Sequence, residues 1–431
     1  MVNDRKFPDI TQSEALLQRA NGLIPSQTQT LAKGPTQYVR GVAPVYLERG
    51  SGCEVTDVDG NTFIDLTMGV GPLILGYCHP EVDEAIRRQL DRGITFSLMH
   101  RLEVELSERI RQLVPGAEMV RFSKTGADVT SAAVRVARAV TGRNRVLCCG
   151  YHGWHDWYAG TLPRDAGVPG AVSAMVSSFD YNSMDSLRSK LTADVACVIL
   201  EPTIFEAPNP DFLQQVRKAC SDNGSLLIFD EMWTGFRIAL GGAQAHYDVT
   251  ADLACFSKAV ANGMPLSVLT GQRRWMEALE DEVFFYTTFG GEALSLAAAQ
   301  ATLDVLEREN VPAVLSERGR QLTEQLQRMI RSLDLEGLGV VGMPARTMLT
   351  FDARFGDPLL QKSLLQQELI RRGVLWTGFC NLAYAHDEDH LARVLAAFGE
   401  SLDVLASARR DGSLAQQLRG TPVQPVFRRV R

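Results

Sequence analysis

Asp252-Leu-Ala-Cys-Phe-Ser-Lys-Ala-Val-Ala-Asn-Gly-Met-Pro265 joins a short apolar run to a lysine and then to a set of chain breakers. Leu253 to Phe256 predicts a buried strand that stops at Ser257, and Lys258 follows at once. A lysine at the mouth of a buried strand is costly unless it is solvated, paired or used covalently. Taken alone, Lys258 reads as a surface lysine at a strand end. Its companions change that reading. Leu226 to Phe229 is a second apolar run, followed by Asp230 and Glu231, and Val198 to Leu200 is a third, followed by Glu201 and Pro202. Ligands of open α/β sheets sit outside the carboxyl ends of the strands, so the acids and the lysine are expected to share one crevice.

Such a set suits an aldehyde cofactor with a ring nitrogen and a phosphate. The aldehyde needs an amine, the pyridinium nitrogen an anion, and the phosphate a group of backbone donors. Phe229-Asp-Glu-Met-Trp-Thr-Gly-Phe-Arg237, Gly241-Gly-Ala-Gln244 and Ser257-Lys258 together resemble the class III (subgroup II) pyridoxal phosphate (PLP)-dependent aminotransferases. Within that family they are most similar to the glutamate-1-semialdehyde aminomutase branch. The similarity runs from about Pro25 to about residue 400. It implies an α/β protein of PLP fold type I, with a large domain built on a mainly parallel sheet. A small α+β domain would be formed by the N- and C-terminal segments. The expected division is 1–70 for the N-terminal part of the small domain, 71–312 for the large PLP-binding domain, and 313–431 for the C-terminal small domain and tail.

Composition agrees with a soluble enzyme: 431 residues, 45% hydrophobic and 22% charged, ample for a large core. A formal charge of −7 argues against nucleic acid as a partner. The apolar runs are too short to span a bilayer. The opening Met1-Val-Asn-Asp-Arg-Lys-Phe-Pro8 has no apolar signal core, so a cytoplasmic location is expected. The eight cysteines form no C-x-x-C pair and read as buried, reduced thiols. His386 and His390 flank Asp-Glu-Asp and could present two imidazoles on one helical face; the alternative is a helix start capped by Asp387. No metal site is assigned.

Along the chain, Glu14 to Ala20 predicts a helix, and Asp59-Gly60 a hairpin turn between Glu54–Val58 and Thr62–Asp65. Gly69-Val-Gly-Pro-Leu-Ile-Leu-Gly76 lacks the dinucleotide fingerprint. From about residue 100, strands at Met119–Phe122 and Val146–Cys149 alternate with helices at Val104–Leu113, Lys124–Val140 and Phe212–Cys220, the pattern of a sheet covered on both faces. Thr347–Phe351 reads as a strand, and the closing tail is expected to lie over a surface.

The resemblance assigns roles to individual residues. Thr125, Gly126 and Ala127 would bind the cofactor phosphate at a helix N-terminus, although the family's usual Ser-Gly-Thr leaves Ala127 without a hydroxyl here. Tyr151 would stack on the pyridine ring, with His152 beside it. Asp230 would face the ring nitrogen, Met232 the opposite ring face, and Glu201 would support the site. Thr288 would reach the phosphate of a neighbouring subunit, which implies a homodimer with shared active sites. Lys258 would hold the cofactor and then move a proton as base and acid, which needs a pKa below the usual value of about 10.4. Lys258, Asp230 and Tyr151 are thus the catalytic candidates.

The substrate-binding candidates depart from the aminomutase pattern. Thr30 and Lys33 replace its serine and arginine, which loses the bidentate arginine fork. Val70 replaces its tryptophan, and Trp376 to Asn381, with Asn381 as a candidate, lacks its acidic residue. A kept cofactor set with an altered pocket implies transfer of an amino group from a donor, glutamate by default, to another small carbonyl metabolite. A keto or aldehydo sugar, or a carbocyclic biosynthetic intermediate, fits this. A true glutamate-1-semialdehyde 2,1-aminomutase is one alternative, and a catalytically silent PLP-fold scaffold is another.

Overall fold

The computed structural model describes residues 6–425; the opening residues 1–5 and the end of the tail, 426–431, for which a surface-draped path is expected, lie outside the described residues. The chain divides into two compact units. One comprises the residues up to His79 together with those from Val314 onward, and the other runs Pro80–Ala313.

The Pro80–Ala313 unit is built on seven strands: β1 (Met119–Ser123), β2 (Arg145–Cys149), β3 (Val176–Ser178), β4 (Val195–Leu200), β5 (Leu226–Asp230), β6 (Leu253–Phe256) and β7 (Ser267–Gly271). Their order across the sheet is β1-β7-β6-β5-β4-β2-β3. β2 to β6 are mutually parallel, and β7 alone runs antiparallel to both its neighbours. Every residue of β4, β5 and β6 is buried, as a parallel sheet covered on both faces requires. The reason is visible in one cluster. Val129, Ala133 and Val136 of helix Gly126–Thr141 pack on Cys197, Ile199, Ile228 and Cys255, alternate residues that share one face of the pleat. The expected strands and helices of this unit are all found, within a few residues at their ends. β3 and β7 are additions. Val176-Ser-Ser178 holds one apolar residue, and Ser267-Val-Leu-Thr-Gly271 begins two residues after the breaker Pro265, so neither announces a strand.

In the other unit, strands Leu47–Ser51, Glu54–Asp57 and Thr62–Asp65 form a meander to which Val374–Leu375 adds in parallel. The Asp59-Gly60 turn is present, with Thr56 opposite Thr62 and Gly60 at φ +90°. A second antiparallel sheet takes Leu338–Met343, Arg346–Phe351 and Phe379–Asn381. Asp387 caps helix Glu388–Arg410 by accepting the His390 amide at 2.9 Å. His390 Nδ1 lies 2.6 Å from the same carboxylate, whereas His386 precedes the helix and is fully buried, its Nδ1 accepting the Ala383 amide at 3.0 Å. The His390 ring therefore serves the helix start and the His386 ring the loop before it, and the two share no exposed face. Burial pushes His386 down to about 4. Between pH about 4 and 6.5 the unfolded chain then binds a proton that the folded chain does not, so stability rises as pH rises across that window, by up to about 3 kcal/mol. Urea denaturation at pH 4.5 and 6.5 checks this, with a shallower rise expected in His386→Gln.

Met68, Gly69, Val70 and Gly71 all have positive φ, from 47° to 97°. A β-branched residue there, Val70, stores strain of about 1–3 kcal/mol. Neighbouring groups hold the stretch in place. Asp65 Oδ1 accepts the Thr67 amide at 2.7 Å, and Asn381 Nδ2 donates to the Thr67 carbonyl at 3.1 Å.

Candidate active site

Strand register brings the candidate residues of the larger sheet to one rim. Cys149 is opposite Leu200, Leu200 opposite Phe229, and Asp230 opposite Cys255. Gly150-Tyr151, Glu201, Asp230 and Ser257-Lys258 thus leave the carboxyl ends of adjacent strands β2, β4, β5 and β6. Phe122 and Phe256 both pair with Val268 of β7, so Lys124 to Gly126 leave β1 at the same rim.

Helix Gly126–Thr141 opens there with a reciprocal cap. Thr125 Oγ1 accepts the Asp128 amide at 3.3 Å, and Asp128 Oδ2 accepts the Thr125 amide at 2.8 Å. Ser123 Oγ donates to the same carboxylate at 2.9 Å. The amides of Gly126 and Ala127, at the first two helical positions, meet no acceptor among the described residues. Two convergent N–H groups at the positive end of a four-turn helix form an anion cradle. A Cβ at Gly126 would lie 2.8 Å from Met232 Sδ, and one at Gly153 would lie 2.7 Å from the Ala127 methyl. The cradle is therefore walled closely by Met232 and by the Tyr151-His-Gly153 turn. Asp128 was not among the expected site residues, although the Thr125-x-x-Asp128 spacing is a helix-start signature.

Asp230 is buried at the centre of the rim. Its Oδ2 lies 2.7 Å from His152 Nδ1, with both side chains excluded from solvent. Its Oδ1 accepts the Met232 amide at 3.1 Å. The His152 ring stacks on Trp157 at 6.2 Å and meets Tyr158 edge-on at 5.4 Å, while its carbonyl accepts Thr130 Oγ1 at 2.8 Å. His152 is thus fixed from three sides and orients the carboxylate. Tyr151 is half-exposed. Its amide donates to Glu201 Oε1 at 2.7 Å, and that carboxylate leaves no room for a side chain at Gly150, which has φ +108°. Burial, and after it the Asp230 carboxylate, raises the Tyr151 phenol above its usual range. Glu231 turns to a different task. It accepts the amides of Ala243 and Gln244 at 2.7 and 3.0 Å and the Thr234 hydroxyl, which caps the short helix Gly242–Tyr247. Burial pushes it up to about 7.

Lys258 opens a single 3₁₀ turn, Lys258–Ala261, with a backbone φ of +48°. That left-handed geometry is rare for a residue with a Cβ and concentrates at functional sites. The loop is short because β6 and β7 are antiparallel neighbours. Ser257 Oγ donates to the Leu266 carbonyl at 2.7 Å, clasping the two ends of the loop. Thr288 lies exposed in the 284–291 segment between Phe284, Tyr286 and Phe289, which are also exposed. Thr30 and Lys33 are exposed in the other unit, and Asn381 is buried there.

Residues 37–341 match the family model of the class III aminotransferases. The chain belongs to that family. It is 34% identical over 408 residues to the 3-aminobutyryl-CoA aminotransferase of Cloacimonas acidaminovorans, covering 91% of this chain and 97% of the relative. It is 38% identical over 392 residues to the glutamate-1-semialdehyde 2,1-aminomutase of Hyperthermus butylicus, covering 84% and 90%. Among solved structures, the FumI protein of Sphingopyxis sp. MTA144 in its PLP form superposes with a TM-score of 0.86 at 26% identity, covering 96% of this chain and 99% of that one. The class III assignment makes the protein a PLP-dependent enzyme of the aminotransferase and aminomutase type, with fold type I architecture. No helix among the described residues is long and apolar enough to cross a membrane.

Proposed function

We propose that this class III enzyme transfers an amino group from a donor, glutamate by default, to a small carbonyl metabolite. The observation that carries the reading is the shared rim. Lys258, the Asp230–His152 pair, Tyr151 and the open amides of Gly126 and Ala127 stand at one edge of one sheet. The residues fit PLP. The helix start offers N–H groups to its phosphate, assisted by the Thr125 hydroxyl, and Asp230 offers a carboxylate to its ring nitrogen. Tyr151 and Met232 are proposed for the two ring faces, and Glu201 for fixing Tyr151. When bound, the cofactor supplies an electron sink for the pair left behind as a substrate C–H bond breaks. Lys258 accepts that proton from the substrate Cα and later returns a proton at the cofactor end. Asp230, held by His152, keeps the ring nitrogen protonated.

The substrate reading rests on the departures from the aminomutase pattern at Thr30, Lys33, Val70 and Asn381. The 3-aminobutyryl-CoA aminotransferase relative supports a transferase acting on a compound other than glutamate semialdehyde. The aminomutase reading is favoured by the equally extensive relatives of that name. Purified enzyme is expected to be converted by an amino donor to the pyridoxamine form and back by a carbonyl acceptor, with ping-pong kinetics. Efficient formation of 5-aminolevulinate, with no donor able to convert the cofactor, would establish the aminomutase instead. A homodimer with Thr288 serving the neighbouring site is part of the proposal, supported by the exposed aromatic side chains around it, as is a cytoplasmic location.

A further inference from the structure

Lys124 stands between the last residue of β1 and Thr125, the cap of helix Gly126–Thr141. Its main chain belongs to the cradle, since its amide donates to the capping carboxylate, Asp128 Oδ2, at 3.3 Å. Its side chain leaves the cradle. Nζ donates to Glu292 Oε1 at 2.7 Å, to the Pro265 carbonyl at 3.0 Å and to Ser295 Oγ at 3.4 Å. An ammonium has three N–H donors, so each has an acceptor. The Lys124 and Glu292 side chains are 20% and 10% exposed. An ion pair on an open surface contributes little; this one is mostly desolvated and held on every side.

The three acceptors belong to other parts of the site. Pro265 lies at the far end of the loop that Lys258 opens. Glu292 follows the 284–291 segment and caps helix Ala293–Arg308, accepting the amides of Leu294 and Ser295 at 2.8 and 3.1 Å. Burial would raise its carboxyl, but the bonds from Lys124 and Ser295 outweigh that and hold it below the usual carboxylate range. The lysine loop and this helix are joined without Lys124, because Ser295 Oγ also donates to the Pro265 carbonyl at 3.2 Å. The cradle takes no part in that bond. Beyond the last pair of the β1–β7 ladder, Ser123 with Ser267, it is the Lys124 side chain that fastens the cradle to both.

We infer that Lys124 is a positioning residue for cofactor binding: through Glu292 and Pro265 it sets the phosphate cradle at a fixed distance from the loop of Lys258. The inference rests on the reading of the Gly126 and Ala127 amides as that cradle. The test is titration of cofactor-free enzyme with PLP and, separately, with pyridoxal, which lacks the phosphate, followed by tryptophan fluorescence. Lys124→Met is expected to weaken PLP binding about tenfold or more, as loss of a charge-assisted bond implies, and pyridoxal binding by less than about twofold. Glu292→Gln keeps the shape and tests the same joint should Lys124→Met fail to fold; it is expected to weaken PLP binding about threefold or more. Tighter PLP binding in Glu292→Gln would mean that the freed ammonium contacts the phosphate itself, and overturns the positioning role. So does PLP binding unchanged in Lys124→Met, or an equal loss of both forms. A wild type that binds PLP no more tightly than pyridoxal removes the cradle reading instead, which separates the two failures.

Discussion

Lys258→Ala is expected to lower amino transfer by at least about 10³-fold, because in the proposed function one side chain serves as both the covalent anchor and the proton carrier. General acid–base catalysis alone contributes about 10² to 10⁴-fold, and loss of the anchoring amine adds to this. The variant should still fold. Lys258 sits in a loop whose ends are held by the Ser257–Leu266 hydrogen bond and by the β6–β7 ladder, not by its own side chain. Single-turnover measurement of the donor half-reaction, with and without added small amines, is the direct check. Amines are expected to restore part of the rate. A variant that transfers at the wild-type rate without them would remove Lys258 from the chemistry.

The second large effect is expected at Asp230. Asp230→Asn keeps the shape and the contact with the Met232 amide but removes the charge proposed to face the ring nitrogen. A hydrogen bond to a charged group contributes about 1.5–3 kcal/mol, so a loss of about 10- to 100-fold in kcat is the minimum expected. The loss grows if the ring nitrogen goes unprotonated throughout the cycle. His152→Phe should fall less far, since it leaves the carboxylate in place and removes only the group that orients it. Its pH–rate profile should shift, which a purely structural residue would not cause. Steady-state kinetics and cofactor retention on both variants separate the two roles. If Asp230→Asn turns over within a factor of about two of wild type, Asp230 does not serve the ring nitrogen.

Much of this site could be read from the chain alone because its residues follow strand ends. Leu226–Phe229 and Leu253–Phe256 are uninterrupted apolar runs, and residues just beyond such runs must emerge at a rim. The motif Phe229 to Arg237 then supplied the family. β7 is not legible in the sequence because its partner choice is a long-range matter. Ser267 to Gly271 becomes a strand only by filling the gap between β1 and β6, and local propensity says little about that. The division of labour between Asp230 and Glu231 was equally hidden. Adjacent strand residues point to opposite faces, but which face held His152 and which held the amides of Ala243 and Gln244 depended on residues far along the chain. The helix start capped by Asp387, by contrast, is legible in the sequence and present in the structure: the helix begins only at Glu388, so His386 and His390 share no helical face.

The hydroxyl clasp between Ser257 and Leu266 carries a consequence for repeated cycles. An amine that must let go of its partner in each round and find it again benefits from a fixed point of departure. Tying both ends of so short a loop limits the wandering of that amine to its own four methylene groups. Recapture then becomes a local search within one side chain's reach. Loosening the knot, as in Ser257→Ala, should show itself as cofactor escaping during sustained turnover while the first round proceeds at an ordinary pace.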